Sequence, residues 1–369
     1  MSHCRDYFAN SYTEARQKFL QSTTSAGYQT WHQQLPDHHG AAGEKLYMDF
    51  ALCGNPKATT GFLMLSGTHG VEGFCGSALQ SQLTDSGFFQ EYTQECRILL
   101  VHAHNPYGFS WLRRVNESNI DLNRSYQDTS VTLLPEGYAQ LQDVINPTQL
   151  RDDLSTPNDL QLEQYAHTHG PFQLQQAITS GQNVFPQGMY YTGTQPTWSQ
   201  QVLQEVIPQA FTNVSEVGVL DIHTGLGKFG EALILHDYGH DTLSGQKMQQ
   251  WFGAKQQSSA PSTSEVTPLV GTVGHGVTQM LPTTTVHSCT LEFGTVDLSQ
   301  VLYILRADNW LHHHAALQDP QDPKWLHIKK QLKAAFYPGT DAWCTAVATQ
   351  GQAVVQEMLN GLLQPSISR

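Results

Sequence analysis

Apolar residues fall into short runs broken by polar, Gly-rich and Pro-rich stretches. Residues 61–66 carry Phe-Leu-Met-Leu, and residues 97–102 carry Ile-Leu-Leu-Val. Runs of this length, bounded by turn residues, suit strands buried on both faces. The same reading predicts strands over 45–51, 214–222, 232–236 and 286–293. Between them the apolar spacing turns helical, over 72–83, 134–144, 198–207, 243–252, 325–335 and 341–363. Further helices are predicted over 5–31, over 297–314, and over 160–179 with a break at Gly170-Pro171. The stretches 105–130, 146–160, 181–196 and 256–270 read as loops.

Buried strands alternating with helices predict an α/β fold whose sheet is covered on both faces. No repeat, low-complexity tract or linker divides the chain. The expectation is a single domain over 1–369, with an N-terminal helix at 5–31 and C-terminal helices over 297–363 packed on it. In open α/β sheets the ligand crevice lies at the carboxyl ends of the strands. Four predicted strands run into polar residues there, at His69, Asn105, His223 and Glu292.

Composition narrows the function. The formal charge of −13 argues against nonspecific binding to nucleic acid or anionic membrane. Residues 1–12 lack the apolar core of a signal peptide, and no stretch approaches the roughly 18 apolar residues of a membrane span. Six cysteines, Cys4, Cys53, Cys75, Cys96, Cys289 and Cys344, form no C-x-x-C pair, so reduced thiols and a cytoplasmic location are expected. The run His312-His313-His314 lies in a predicted helix, where consecutive side chains diverge and cannot face one ion.

The chemistry concentrates in a few places. His69 and Glu72 stand three apart at a strand-to-helix junction, so both can reach one metal ion. Alone the pair is weak, because a chain with 18 His gives His-x-x-Glu about once by accident. Gly67, Gly70, Gly73 and Gly76 around it let the backbone turn sharply and approach a ligand closely. His223, at the end of a buried strand and on the same face as Asp221, is the best third ligand. Two His and one Glu suit a single catalytic Zn²⁺ with a position left open, although affinity order alone leaves Ni, Co or Mn open. Alternation sets Glu292 on the polar face of its strand, where a carboxylate can take a proton from water and return it to a leaving amine. Arg113, Arg114 and Arg124 in the long loop suit recognition of a carboxylate through paired hydrogen bonds.

Taken in chain order, His69-Gly-Val-Glu72, Asp121-Leu-Asn-Arg124, Asp221-Ile-His223-Thr-Gly and Thr290-Leu-Glu292-Phe-Gly resemble the M14 metallocarboxypeptidase superfamily. Ser66-Gly-Thr-His-Gly-Val-Glu-Gly, with Tyr190-Tyr-Thr-Gly-Thr-Gln-Pro-Thr-Trp198, is similar to a bacterial branch known as a domain of unknown function, DUF2817. The resemblance implies a mixed, mostly parallel eight-stranded sheet sandwiched between helices. It also implies His69, Glu72 and His223 as zinc ligands, and Asp121 as the carboxylate that orients a ligand imidazole. Asn123 and Arg124 would bind the substrate's carboxylate. Arg113 or Arg114 would polarise the scissile carbonyl, with the choice open, and Glu292 would be general base and then acid. Digestive members carry a mobile Tyr before the catalytic Glu. Tyr238 matches that position poorly, and Tyr190 or Tyr191 could substitute from another loop.

The implied activity is hydrolysis of an amide or peptide bond next to a carboxylate-bearing residue. A second expectation is deacylation of N-acyl amino acids, as in enzymes similar to aspartoacylase and succinylglutamate desuccinylase. The substrate would be a small peptide or an N-acyl amino acid. A noncatalytic metal-binding module is the remote alternative, and Glu292 argues against it. A serine hydrolase lacks its G-x-S-x-G.

Overall fold

The apolar runs form the middle of one eight-stranded sheet. This computed structural model describes residues 4–260, 267–313 and 319–364. The strands are β1 (Gln29–His39), β2 (Lys45–Gly54), β3 (Thr60–Ser66), β4 (Cys96–His102), β5 (Glu216–Phe229), β6 (Ala232–His236), β7 (Gln256–Ser258) and β8 (Thr285–Gly294). They lie in the order β1-β2-β4-β3-β5-β8-β6-β7. The central four, β4-β3-β5-β8, are mutually parallel. β1 and β2 add antiparallel at one side, β6 antiparallel at the other, and β7 pairs parallel with β6.

Strand alternation divides the core between the two faces of the sheet. Phe62, Met64, Ile98, Leu100, Leu220, Ile222, Leu291 and Phe293 face one cluster, shared with the helices Tyr12–Ser25, Gly73–Asp85, Leu243–Phe252 and Asp341–Leu363. Leu63, Leu65, Leu99, Val101, Val217, Val219 and Val286 face the other, under the helices Trp198–Ala210 and Val273–Met280. A third cluster joins Val71 and Tyr190 to residues of the helices Glu136–Ile145, Leu298–His313 and Pro323–Phe336. The alternation that sets Val217 and Val219 on the second face also carries Asp221 and His223 there. In β8 it does the same from Val286 to Glu292.

Several predicted elements differ, and a further helix has no predicted counterpart. The helix expected over 5–31 is Tyr12–Ser25. Ser11 caps its start by accepting from the Glu14 amide at 3.2 Å. It ends before Gly27, whose φ of 75° turns the chain into β1, where Trp31 stacks on Phe50 at 5.2 Å. β5 does not stop at Ile222 but runs to Phe229, with a register shift between Gly225 and Phe229. The predicted loop 256–270 begins with β7, and its residues 261–266 lie outside the described set. The helix Val273–Met280 was not anticipated; Thr272 caps it by accepting from the His275 amide at 3.3 Å. No described helix is long and apolar enough to cross a membrane.

Candidate metal centre

β3 delivers the chain to Gly67, whose φ of 70° starts the turn that carries His69 and Glu72. The turn packs hard against the helix Pro106–Ser110. A Cβ on Gly70 would lie 1.9 Å from the Gly108 carbonyl carbon, so glycine is required there. His69 and Glu72 therefore face inward beside His223 of β5. His69 Nδ1 lies 3.1 Å from Glu72 Oε1, and His223 Nδ1 lies 3.2 Å from Glu72 Oε2. The two Nδ1 atoms are 3.0 Å apart. The Thr224 amide donates to Glu72 Oε2 at 2.9 Å and fixes the carboxylate.

The outer nitrogens decide what can sit between these atoms. His69 Nε2 lies 3.0 Å from Asp121 Oδ1, and His223 Nε2 lies 2.7 Å from Asp221 Oδ2. Carboxylates only accept, so both Nε2 atoms carry protons and both Nδ1 lone pairs turn toward each other and toward Glu72. Facing lone pairs at this distance repel unless a proton or a metal ion lies among them. Zinc bonds of about 2.0–2.1 Å at tetrahedral angles set ligand atoms about 3.3 Å apart, close to the spacing here. The donor set, the spacing and the carboxylate behind each imidazole all fit Zn²⁺. Among the described residues this trio is the group found able to hold a metal. Burial alone would raise the Glu72 carboxyl, but His69 and His223 outweigh it and hold it well below the usual range. Burial would lower His223, yet Asp221 and Glu72 raise it well above an ordinary imidazole, so a proton on Nδ1 competes with a metal ion for the place between these groups.

Arg114 joins the centre from the long loop. Its Nε donates to Asp121 Oδ2 at 2.9 Å, and its Nη1 lies 3.6 Å from Glu72 Oε1. Asp121 thus serves His69 and Arg114 together; despite burial, the two hold its carboxyl well below the usual range. Asn123 is fixed by its amide donating to Asp121 Oδ1 and by its own Oδ1 accepting from the Val273 amide, both at 3.0 Å. Arg124 is buried and donates to two backbone carbonyls, Thr179 and Asn123, at 2.9 Å each. Burial lowers its pKa, as expected of a guanidinium held away from water. Tyr190, at a φ of 55°, presents its ring to both guanidiniums, with Arg114 5.1 Å and Arg124 5.9 Å from its centroid.

Glu292 enters from the neighbouring strand, where its backbone pairs in register with His223. Burial, together with the nearby Glu72 carboxylate and against the pull of His223, pushes its carboxyl up to about 7.

Several candidates stand elsewhere. Arg113 turns away from its neighbour Arg114, donating to Asp308 at 3.2 Å and to Asn119 at 3.1 Å. Successive side chains diverge, so one of the two arginines meets the centre and the other the helices behind it. Asn105 caps the helix Pro106–Ser110 by accepting from the Gly108 amide at 2.8 Å. Tyr238 bonds Ser288, toward the opposite end of β8 from Glu292, and Tyr191 packs with Ile120 and Leu122. His312 and His313 place their rings 5.4 Å apart on a helix, while His314 lies outside the described residues. Asp221 was legible only as a neighbour of His223 on one face. Its partner Thr68, and His104 beyond it, carried no sequence signal beyond the polar end of a strand.

Residues 8–350 match the family model described as "Protein of unknown function (DUF2817)". No curated protein matches the chain. Among solved structures, it is similar to bovine thrombin-activatable fibrinolysis inhibitor in complex with tick carboxypeptidase inhibitor. The TM-score is 0.51 at 10% identity, covering 98% of this chain and 99% of that one. Carboxypeptidase A from Helicoverpa armigera aligns with a TM-score of 0.45 at 11% identity, over 88% of this chain and 74% of that one. Succinylglutamate desuccinylase from Chromobacterium violaceum aligns with a TM-score of 0.37 at 14% identity, over 86% and 72%. At these identities the first of the three establishes a shared fold and nothing finer.

Proposed function

The chain belongs to the DUF2817 family, and from that premise we propose that it is a zinc-dependent, carboxypeptidase-like hydrolase of amide bonds next to a carboxylate-bearing residue. One observation carries the reading. His69 Nδ1, His223 Nδ1 and the Glu72 carboxylate converge within 3.0–3.2 Å of one another, beside Glu292.

Zinc held by His69, Glu72 and His223 would supply a Lewis acid that polarises a carbonyl and acidifies water. Glu292 takes the proton from the attacking water and returns it to the leaving amine. Arg114, steadied by Asp121, donates to the carbonyl oxygen as negative charge develops on it. Asn123 and Arg124 hold the substrate carboxylate, and the Tyr190 ring, near both guanidiniums, walls that pocket. Arg113 takes no part in the chemistry.

A second reading within the same chemistry is deacylation of a small N-acyl amino acid. It is favoured by enclosure: Asn123, Arg124 and Tyr190 are 5%, 4% and 7% exposed, respectively. The six cysteines are all free, which supports a reducing compartment such as the cytoplasm.

The test is metal analysis of the purified chain, followed by a screen of short peptides and N-acyl amino acids with and without chelator. Chelator-sensitive release of a residue bearing a free carboxylate is expected. Hydrolysis indifferent to chelation, or no cleavage of either class by zinc-loaded protein, would refute the reading. Preference between the two substrate classes separates peptidase from deacylase.

A further inference from the structure

Behind Asp221 runs a chain of buried polar groups that the reaction does not use. Thr68 Oγ1 lies 2.8 Å from Asp221 Oδ1 and 3.1 Å from His104 Nδ1. His104 Nε2 lies 3.2 Å from the Tyr126 hydroxyl. Thr68, Asp221, His104 and Tyr126 are all buried.

The protons in this chain can be assigned one by one. A carboxylate only accepts, so the Thr68 hydroxyl donates to Asp221. Its single proton is then spent, and its oxygen accepts from a protonated His104 Nδ1. Burial holds the His104 pKa down at about 4, so the ring is neutral at ordinary pH and Nε2 is bare. Nε2 therefore accepts from the Tyr126 hydroxyl. Every donor points toward Asp221, whose other oxygen accepts from His223 Nε2 at 2.7 Å.

His104, in the middle of the chain, is anchored independently through its backbone. The His104 amide donates to the Ser66 carbonyl at 3.0 Å, and Ser199 Oγ donates to the His104 carbonyl at 2.8 Å. Tyr126 lies on the segment that also contains Asp121. That one segment reaches His69 directly and His223 through three intermediates.

We propose that Thr68 and His104 are positioning residues for the metal centre, holding Asp221 so that the His223 ring keeps the tautomer and orientation that present Nδ1 to zinc. The proposal rests on the reading of His69, Glu72 and His223 as zinc ligands. Partners of this kind change metal affinity by about 10–100-fold when removed.

The experiment measures the zinc dissociation constant of the full chain by competition with a chelator of known affinity. Thr68→Val removes the hydroxyl at nearly constant shape, and Thr68→Ser restores it. Thr68→Val is expected to weaken zinc binding about tenfold, and Thr68→Ser to remain within about twofold of the parent chain. A folded Thr68→Val protein that binds zinc as tightly as the parent chain overturns the proposal while leaving the zinc reading intact. A parent chain that binds no zinc sinks both. Should Thr68→Val not fold, nitrogen NMR of the unaltered protein decides: His104 is expected protonated at Nδ1 and bare at Nε2, and the opposite tautomer overturns the proposal.

Discussion

His223 and Glu292 are paired in register across the parallel strands β5 and β8. Partners so paired project from the same face of the sheet, so hydrogen-bonded strands, not a mobile loop, fix the distance between a candidate ligand and a candidate acid/base. Asp221 extends the arrangement by one step of alternation, reaching back to His223 from the same face. Such groups keep their relative geometry before any substrate arrives, the preorganisation that electrostatic catalysis requires.

Glu292→Gln removes the proposed acid/base and keeps the shape of the side chain. Turnover is expected to fall by about 10²–10⁴-fold, the usual contribution of a general base, with zinc content unchanged. Steady-state kinetics and metal analysis on one preparation check this. Unchanged turnover would refute the role.

The pH profile follows from the same carboxyl. Burial pushes it up to about 7. A general base works deprotonated, so activity is present above the pKa and lost as pH falls through it. A cation on His69, Glu72 and His223 favours the ionised form and draws the value down. The acidic midpoint of kcat/KM for the zinc-loaded enzyme is therefore expected below about 7. A midpoint above that value would contradict the assignment.

Arg124 is buried and donates to two backbone carbonyls, which suits a guanidinium reserved for an incoming anion. Arg124→Met is expected to raise KM about 10–100-fold, since a hydrogen bond to a charged group contributes roughly 1.5–3 kcal/mol. Substrates whose carboxylate is capped as an amide should show little difference between the two proteins. Equal losses on both kinds of substrate would point to a structural role for Arg124.

Arg113 and Arg114 are predicted to fail differently. Arg113→Met leaves Asp308 paired with Lys329 in a buried network, and losing a hydrogen bond between charged groups there costs about 1.5–3 kcal/mol. Denaturant unfolding should register it. Arg114→Met is expected to lower kcat by about 10²-fold, the scale of a lost oxyanion donor. A folded Arg113 variant slower than the Arg114 variant would reverse the assignment.

The parts legible in the sequence were those where one local pattern suffices. β3 and β4 announce themselves because strands buried on both faces must be apolar throughout. His69 and Glu72 are legible because they share one turn. β1 was hidden because it pairs on one side only and buries a single residue, Leu35, so it needs little apolar sequence. Pro36 lies within its register shift and further blurs the pattern. The helix Val273–Met280 follows a Ser-, Thr- and Pro-rich tract and holds Gly274 and Gly276, both poor helix formers. Which of two adjacent arginines faces the centre depends on the backbone of a loop. The chain from Asp221 through Thr68 to His104 joins three distant segments, so no single stretch of sequence announces it.

Zinc stoichiometry after dialysis, compared between the unaltered chain and His223→Ala, tests the central claim most directly. One tightly held zinc per unaltered chain, lost in the variant while its fold persists, is the expected result. An unaltered chain that retains no zinc, or a variant that retains it equally well, would contradict the account.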